Sequence, residues 1–128
     1  MLPHGFKKMI AEANAVIDTI SVHDALKLVG APDVVFVDLR EPPERQQNGH
    51  IKGSVHVPRG LLEFHVDPES PMHNKAVTPD KQVVLYCASG GRSALAAKTM
   101  HDMGYSKVSH IAGGMAAWKE ANGPTDAG

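Results

Sequence analysis

Hydrophobic positions along the chain fall into short runs that are separated by segments with helical spacing. The runs 34–37 and 83–86 are uninterrupted by charged residues, and residues 55–57 and 107–111 form two further short stretches. Uninterrupted, β-branched runs of this length are typical of parallel strands that are buried on both faces. The alternation of strands with helical segments predicts an α/β fold with a central parallel sheet, right-handed crossovers and helices on both faces.

Helix boundaries are indicated by capping and breaking residues. Ser21 can cap a helix that runs to about Val29. A second helix is predicted over 93–103, where small and apolar side chains offer an inward face and Gly104 follows. A last helix contains Trp118, which we expect to anchor that helix in the core.

The chain of 128 residues has the usual length of one domain. Apolar residues between Phe6 and Ile17 recur at helical spacing, so residues 1–18 are predicted to form an accessory N-terminal helix. The main domain is predicted over 19–124, and residues 125–128 form a tail.

Composition indicates a globular protein without a dominant charge. The chain is 42% hydrophobic and 21% charged, and 13 basic and 14 acidic residues give a formal charge of −1. This balance gives no global field that would attract nucleic acid or an anionic membrane, so neither is expected as a partner. No apolar run is long enough to span a bilayer, and the N-terminus lacks the apolar core of a secretory signal. A cytoplasmic location is therefore expected.

Cys87 is the single cysteine, which excludes an intramolecular disulfide and a cysteine-based zinc cluster. It directly follows the run 83–86, and the loop after it leads into the helix over 93–103. We call residues 87–93 the cysteine loop; the residues that follow the thiol are Ala88, Ser89, Gly90, Gly91, Arg92 and Ser93. Small residues in such a loop let several N–H groups converge on one spot at a helix N-terminus.

Converging amides and the Arg92 charge favour a thiolate over a thiol, so the pKa of Cys87 is expected to be lowered. The alternative is a buried strand-end cysteine followed by a tight turn. We favour the reactive interpretation because the thiol is followed by an amide-rich loop, an arginine and a capping serine. Four residues separate Cys87 from Arg92. That interval suits a terminal sulfur, whereas the cysteine phosphatases have five and bind a phosphate.

Charged residues near the predicted strand ends have two possible roles each. Arg92 can orient the anionic end of a substrate, or it can hold the loop by donating to backbone carbonyls. Asp38 and Arg40 lie on the same edge of the sheet as Cys87, where an ion pair between them would brace the loop. We favour that structural role over direct catalysis. Glu41 and Glu44 are expected to begin a helix.

Scattered histidines give no convincing metal site, and no metal or cofactor is predicted. These residues are His50, His56, His65, His73 and His110. The segment 59–80 is predicted as a short helical turn and a long loop, which we expect to form one wall of the active-site mouth.

From about Thr19 to Pro124 the sequence resembles the rhodanese homology domain, the family of rhodanese-like sulfurtransferases. The family's Cys-x-x-Gly-x-Arg loop is matched by Cys87, Gly90 and Arg92. Residues 37–58 are similar to the family's first signature, and residues 113–124 resemble its closing signature.

The resemblance implies a three-layer rhodanese-like fold with a five-stranded parallel sheet. It also implies that Cys87 takes sulfane sulfur from a donor such as thiosulfate, and that amides of residues 88–93 hold the persulfide. Cyanide, a small thiol or a protein thiol would then accept the sulfur. A cysteine phosphatase or arsenate reductase on the same fold and a non-catalytic docking module remain the alternatives. The phosphatase needs a larger loop and a general acid, and a docking module has no need of the thiol.

Overall fold

A computed structural model describes residues 2–127 of the chain. Its strands are β1 (Asp18–Ile20), β2 (Val34–Asp38), β3 (His50–Ile51), β4 (Val55–His56), β5 (Gln82–Tyr86), β6 (Val108–Ile111) and β7 (Thr125–Asp126). Its α-helices are α1 (Phe6–Val16), α2 (Val22–Leu26), α3 (Pro42–Asn48), α4 (Leu62–Val66), α5 (Gly91–Met103) and α6 (Gly114–Glu120), and a 3-10 turn at Arg59–Leu61 precedes α4. No helix in this part of the chain is long and apolar enough to cross a membrane.

Five parallel strands form the central sheet in the order β1-β6-β5-β2-β4. This confirms the predicted α/β fold and its five-stranded parallel sheet. Asp38 at the end of β2 is in register with Tyr86 at the end of β5. The residues that follow these two strands therefore leave the sheet side by side, at its carboxyl edge.

Helices cover both faces of the sheet, as predicted. Val35, Val37 and Leu85 point to the face that is covered by α4 and α5, whereas Phe36 points to the face covered by α2 and α6. This alternation explains the uninterrupted apolar runs, since both sides of each central strand are buried. Trp118 is fully buried and packs edge-on against Phe36, with ring centroids 5.9 Å apart.

Two ends of the chain take part in sheets that the pattern did not predict. β1 lies at one edge of the main sheet beside β6, immediately after α1. Thr125–Asp126 pairs antiparallel with His50–Ile51, so the predicted tail includes a short strand. Both strands are only two or three residues long and mostly exposed, which leaves no apolar pattern to detect.

Helix α2 is shorter than expected. Ser21 does cap it, accepting a hydrogen bond from the Asp24 N–H at 3.1 Å. The α-helix ends at Leu26, and hydrogen-bonded turns carry the chain on to Gly30, which has a φ of 81°. The helix predicted to end at about Val29 therefore consists of the α-helix Val22–Leu26 and the turns that follow it.

Within the segment 59–80, Arg59 of the 3-10 turn lines a cavity together with Arg92. The long loop after α4 lies at the other end of α5 from the cysteine loop, so the expectation that this loop forms a wall of the active-site mouth is wrong. Tyr105, which follows α5, donates through Oη to the Val66 carbonyl at 2.6 Å. Lys107 Nζ donates to the Asp80 carbonyl at 3.2 Å. The buried Tyr105 hydroxyl requires a hydrogen-bond acceptor, and its bond to Val66 fixes the loop at this end of α5. Cys87 lies at the opposite end of α5.

Candidate active site

Cys87 lies at the carboxyl end of β5, at the base of a tight loop that leads into α5. Gly90, the N-cap of α5, has a φ of 116°, in the left-handed region that favours glycine. This conformation aims the Gly90 N–H at the cysteine, and it donates to Sγ at 3.1 Å. Cys87 is only 1% exposed, so the sulfur is shielded by the loop that curls around it.

Burial and hydrogen bonds act in opposite directions on the pKa of the Cys87 thiol. Burial raises the pKa of Cys87, but donation from the Ser93 hydroxyl and from the amides of Ser93, Gly90 and Ser89 favours the thiolate. The net effect lowers the pKa below its ordinary value, in the direction expected from the sequence. The loop thereby makes the sulfur a better nucleophile near neutral pH.

The start of α6 holds the cysteine loop from the side. Met115 N–H donates to the Cys87 carbonyl at 2.8 Å, and Ala116 N–H donates to the Ala88 carbonyl at 3.2 Å. This close approach requires glycine at position 114, since a Cβ there would clash with the Cys87 carbonyl oxygen. The sequence indicated only a turn at this point.

Arg92 forms a bidentate ion pair with Glu44, with both N–O distances at 2.8 Å. This contact is neither of the two roles considered for Arg92, since its partner is a carboxylate on α3. Glu44 does lie in the first turn of α3, as expected, where it also accepts the Glu41 N–H. The Arg92 guanidinium lowers the pKa of Glu44 to about 2, and the pair raises the pKa of Arg92. Glu44 thus pins the cysteine loop to α3.

Asp38 and Arg40 form a buried ion pair at the end of β2. Arg40 Nε and Nη2 donate to the two Asp38 oxygens at 3.0 and 2.8 Å. Nη2 also donates to the Gly49 carbonyl at 2.7 Å, and Tyr86 Oη donates to Asp38 at 3.0 Å. The pair therefore reaches the cysteine loop through Tyr86, the residue before Cys87.

His110 was placed among the scattered histidines, but the structure brings it beside the cysteine loop. Its Nδ1 lies 2.9 Å from Ser93 Oγ, which in turn lies 3.6 Å from Cys87 Sγ. Burial lowers the pKa of His110. The sequence did hold one signal that His110 is buried. Side chains alternate between the two faces of a strand, so His110 lies on the same face of β6 as the buried residue Val108. In residues 2–127, no group of three or more His, Cys, Asp or Glu side chains is arranged to hold a metal ion.

A cavity of about 300 Å³ lies between α1, the 3-10 turn and one side of α5, along which it extends from Arg92 to Asp102. Its wall includes Arg92, so the cavity borders the cysteine loop. Apolar and charged side chains alternate around it, among them Met9, Glu12, Arg59 and Leu95. A mixed concave surface that borders the cysteine loop suits a small polar substrate.

The fold and the site define an α/β protein that carries its single cysteine in a strand-to-helix loop at the carboxyl edge of a parallel sheet. The family model described as the rhodanese-like domain matches residues 21–121. The chain belongs to the rhodanese-like domain family, as its motifs predicted.

Three proteins of similar sequence or structure cover most of this chain. Thiosulfate:glutathione sulfurtransferase from Saccharomyces cerevisiae is 38% identical over 114 residues, which cover 84% of this chain and 81% of the yeast protein. A polysulfide-sulfur transferase homodimer from Wolinella succinogenes has a TM-score of 0.77 and 33% identity, covering 96% of this chain and 88% of that one. A protein of unknown function from Rhodopseudomonas palustris, described as a possible tyrosine phosphatase, has a TM-score of 0.93 and 48% identity, covering 98% and 97%.

Proposed function

We propose that this chain is a sulfurtransferase that carries sulfane sulfur on Cys87. The observation that carries the proposal is the Cys87 thiol itself, buried in a ring of amides that lowers its pKa. Two relatives that cover most of the chain are sulfurtransferases, which supports the same reaction class.

The reaction runs in two displacements. The Cys87 thiolate attacks the outer sulfur of thiosulfate, the S–S bond of the donor breaks, and sulfite leaves with the bonding electron pair. An acceptor thiolate or cyanide then attacks the outer sulfur of the persulfide, and Cys87 leaves as a thiolate. No net oxidation occurs, and no cofactor is needed.

The cysteine loop supplies the binding groups for this chemistry. The residues that we propose to bind the donor and the persulfide are Ala88, Ser89, Gly90, Gly91, Arg92 and Ser93. Amides that stabilise the thiolate are also placed to stabilise the negative outer sulfur of a persulfide. Arg92, whose side chain is 37% exposed beside the cavity, adds a positive charge for an anionic donor.

Asp38 and Arg40 have a supporting role in this proposal. Their buried pair fixes Tyr86 and the end of β5, and hence the starting point of the loop. For the acceptor we propose a small thiol such as glutathione, or cyanide in the laboratory, with a protein thiol as a further possibility. Because the reaction needs a reduced Cys87, we propose a reducing compartment such as the cytoplasm.

Intact mass spectrometry after incubation with thiosulfate tests the carrier role. We expect a gain of about 32 Da, one sulfur atom, that is lost on addition of cyanide or glutathione. Cys87→Ser should show no gain and should melt at a similar temperature, because oxygen replaces sulfur with little change in size but is a much weaker nucleophile. A gain in Cys87→Ser, or none in the native chain with thiosulfate, polysulfide or glutathione persulfide, would reject the proposal.

A phosphatase is the second candidate, because the protein with 48% identity is described as a possible tyrosine phosphatase. The four residues between Cys87 and Arg92 weigh against it, since cysteine phosphatases use five. Hydrolysis of p-nitrophenyl phosphate that is lost in Cys87→Ser, without any persulfide, would favour the phosphatase.

A further inference from the structure

A line of polar side chains connects the Cys87 sulfur to the N-terminal helix. Ser93 Oγ lies between Cys87 Sγ at 3.6 Å and His110 Nδ1 at 2.9 Å. On the far side of the ring, His110 Nε2 lies 3.1 Å from Asn14 Oδ1 and 3.0 Å from Thr19 Oγ1. Four separate elements, α5, β6, α1 and β1, therefore converge on one histidine.

The partners of His110 determine which of its nitrogens carries the proton. Asn14 Oδ1 only accepts hydrogen bonds, so Nε2 must donate to it and hold the proton of the neutral ring. Nδ1 is then free to accept from the Ser93 hydroxyl. That hydroxyl is 3.2 Å from the Gly90 carbonyl, so its contact with His110 is the shorter one. A lone pair of Ser93 Oγ remains to accept the Cys87 S–H.

We propose that His110 is the proton acceptor for the Cys87 thiol, acting through Ser93, and that Asn14 of the N-terminal helix sets the tautomer that makes this possible. The inference rests on the sulfurtransferase function proposed above. Since His110 and Asn14 act through Ser93, both are positioning residues for Cys87.

The proton moves in two coupled steps. The S–H bond of Cys87 breaks and its proton goes to Ser93 Oγ, while the original Ser93 hydroxyl proton goes to His110 Nδ1. The products are a thiolate, a neutral serine that donates to it, and an imidazolium. The imidazolium then loses its Nε2 proton at the surface, where Asn14 and Thr19 are exposed. The Thr19 hydroxyl is in reach to donate to the freed Nε2.

The surroundings of His110 keep its ring neutral before it receives the proton. The ring is only 3% exposed, and among residues 2–127 no charged group lies within hydrogen-bond distance of it. Its hydrogen-bond partners on the neighbouring elements are all neutral: Asn14, Thr19 and Ser93. On β5 its neighbour in register is Leu85, which is not titratable. Cys87 is the titratable group that the ring reaches through Ser93. Burial keeps the imidazole neutral near pH 7, which leaves it able to take a proton.

We call the path from Cys87 through Ser93 to His110 the proton relay. The pH dependence of Cys87 alkylation by iodoacetamide tests this relay without any sulfur donor. In His110→Asn, the side chain can still hydrogen-bond Ser93 but cannot take up a proton. We expect the alkylation midpoint to rise by about one pH unit, and the rate of persulfide formation at pH 7 to fall about tenfold. His101→Asn on the exposed side of α5 is the matched control and should leave both unchanged.

Asn14→Asp should shift the alkylation midpoint in the opposite direction. A carboxylate at this exposed position would stabilise the imidazolium, so the alkylation midpoint should fall. In the double variant with His110→Asn the fall should disappear, because no imidazolium can form. A native midpoint in His110→Asn, or an equal fall in the double variant, would overturn the relay. If the native chain forms no persulfide, the proposed function fails while the alkylation midpoints still decide the relay.

Discussion

At the scale of single residues, charge is distributed so that each group near Cys87 has a partner. Arg92 is held by Glu44 and Arg40 by Asp38, and the thiol itself is held by amides. Pairing is required for Arg40 and Asp38, because a buried charge without a partner would cost several kcal/mol. The exposed face of Arg92 is the part that remains open to an anionic donor.

Arg92→Ala should slow persulfide formation from thiosulfate by roughly tenfold, since one charge-assisted contact to the donor is lost. Glu44→Gln should lower the KM for thiosulfate, because it removes a negative charge that competes with the donor for Arg92. Steady-state kinetics with thiosulfate at varied ionic strength measures both. Arg59→Ala, in the same cavity wall, is the control for a general loss of positive charge. Unchanged kinetics in Arg92→Ala would exclude a donor-binding role.

At the scale of elements, the cysteine loop takes its shape from the start of α6. Gly114 has a φ of 55° and lies against the backbone of Cys87 and Ala88. This contact lets two amides of α6 satisfy carbonyls of the cysteine loop, which would otherwise be buried without partners. Gly114 thus contributes to the site through backbone packing.

Gly114→Ala is expected to destabilise the fold by about 3 kcal/mol, from a clash with the Cys87 carbonyl added to left-handed strain. Gly30→Ala is the matched control: its φ is 81°, but nothing lies within 4 Å of the added Cβ. It should cost only the strain, about 1 kcal/mol. Urea unfolding gives both values, and equal losses in the two variants would contradict the close packing of α6 on the cysteine loop.

At the scale of the whole molecule, the same contacts make stability depend on pH. His110 has its pKa lowered from the ordinary 6.5 by burial, so the unfolded chain binds that proton more readily. Stability is therefore lost as the pH falls below about 6.5. Glu44 has its pKa lowered from 4.5 to about 2, so its contribution is complete above pH 4.5 and is lost as the pH falls towards 2.

The urea midpoint should accordingly fall in two stages between pH 7 and pH 2.5. His110→Asn should flatten the first stage, between pH 6.5 and 5, because no ring remains to be protonated in the unfolded chain. Glu44→Gln should flatten the second stage, below pH 4.5. A midpoint that rises on acidification from pH 7 to 5 would contradict the assigned burial of His110.

Much of the architecture could be predicted because local patterns carry it. Apolar runs indicated β2 and β5, since a strand that is buried on both faces needs no polar residue. The glycine after Met103 indicated the end of α5, where Gly104 has a φ of 116°. The edge strand Asp18–Ile20 and the strand Thr125–Asp126 escaped prediction, because exposed short strands carry no such pattern.

The sequence by itself determined the fold class, the cysteine and the type of loop around it, because these depend on residues that are adjacent in the chain. Only the tertiary structure decided the partners of those residues. Glu44 meets Arg92, and His110 meets Ser93, across separations of 48 and 17 residues. Such pairs depend on how strands and helices align in space, which the spacing of residues along a chain does not encode.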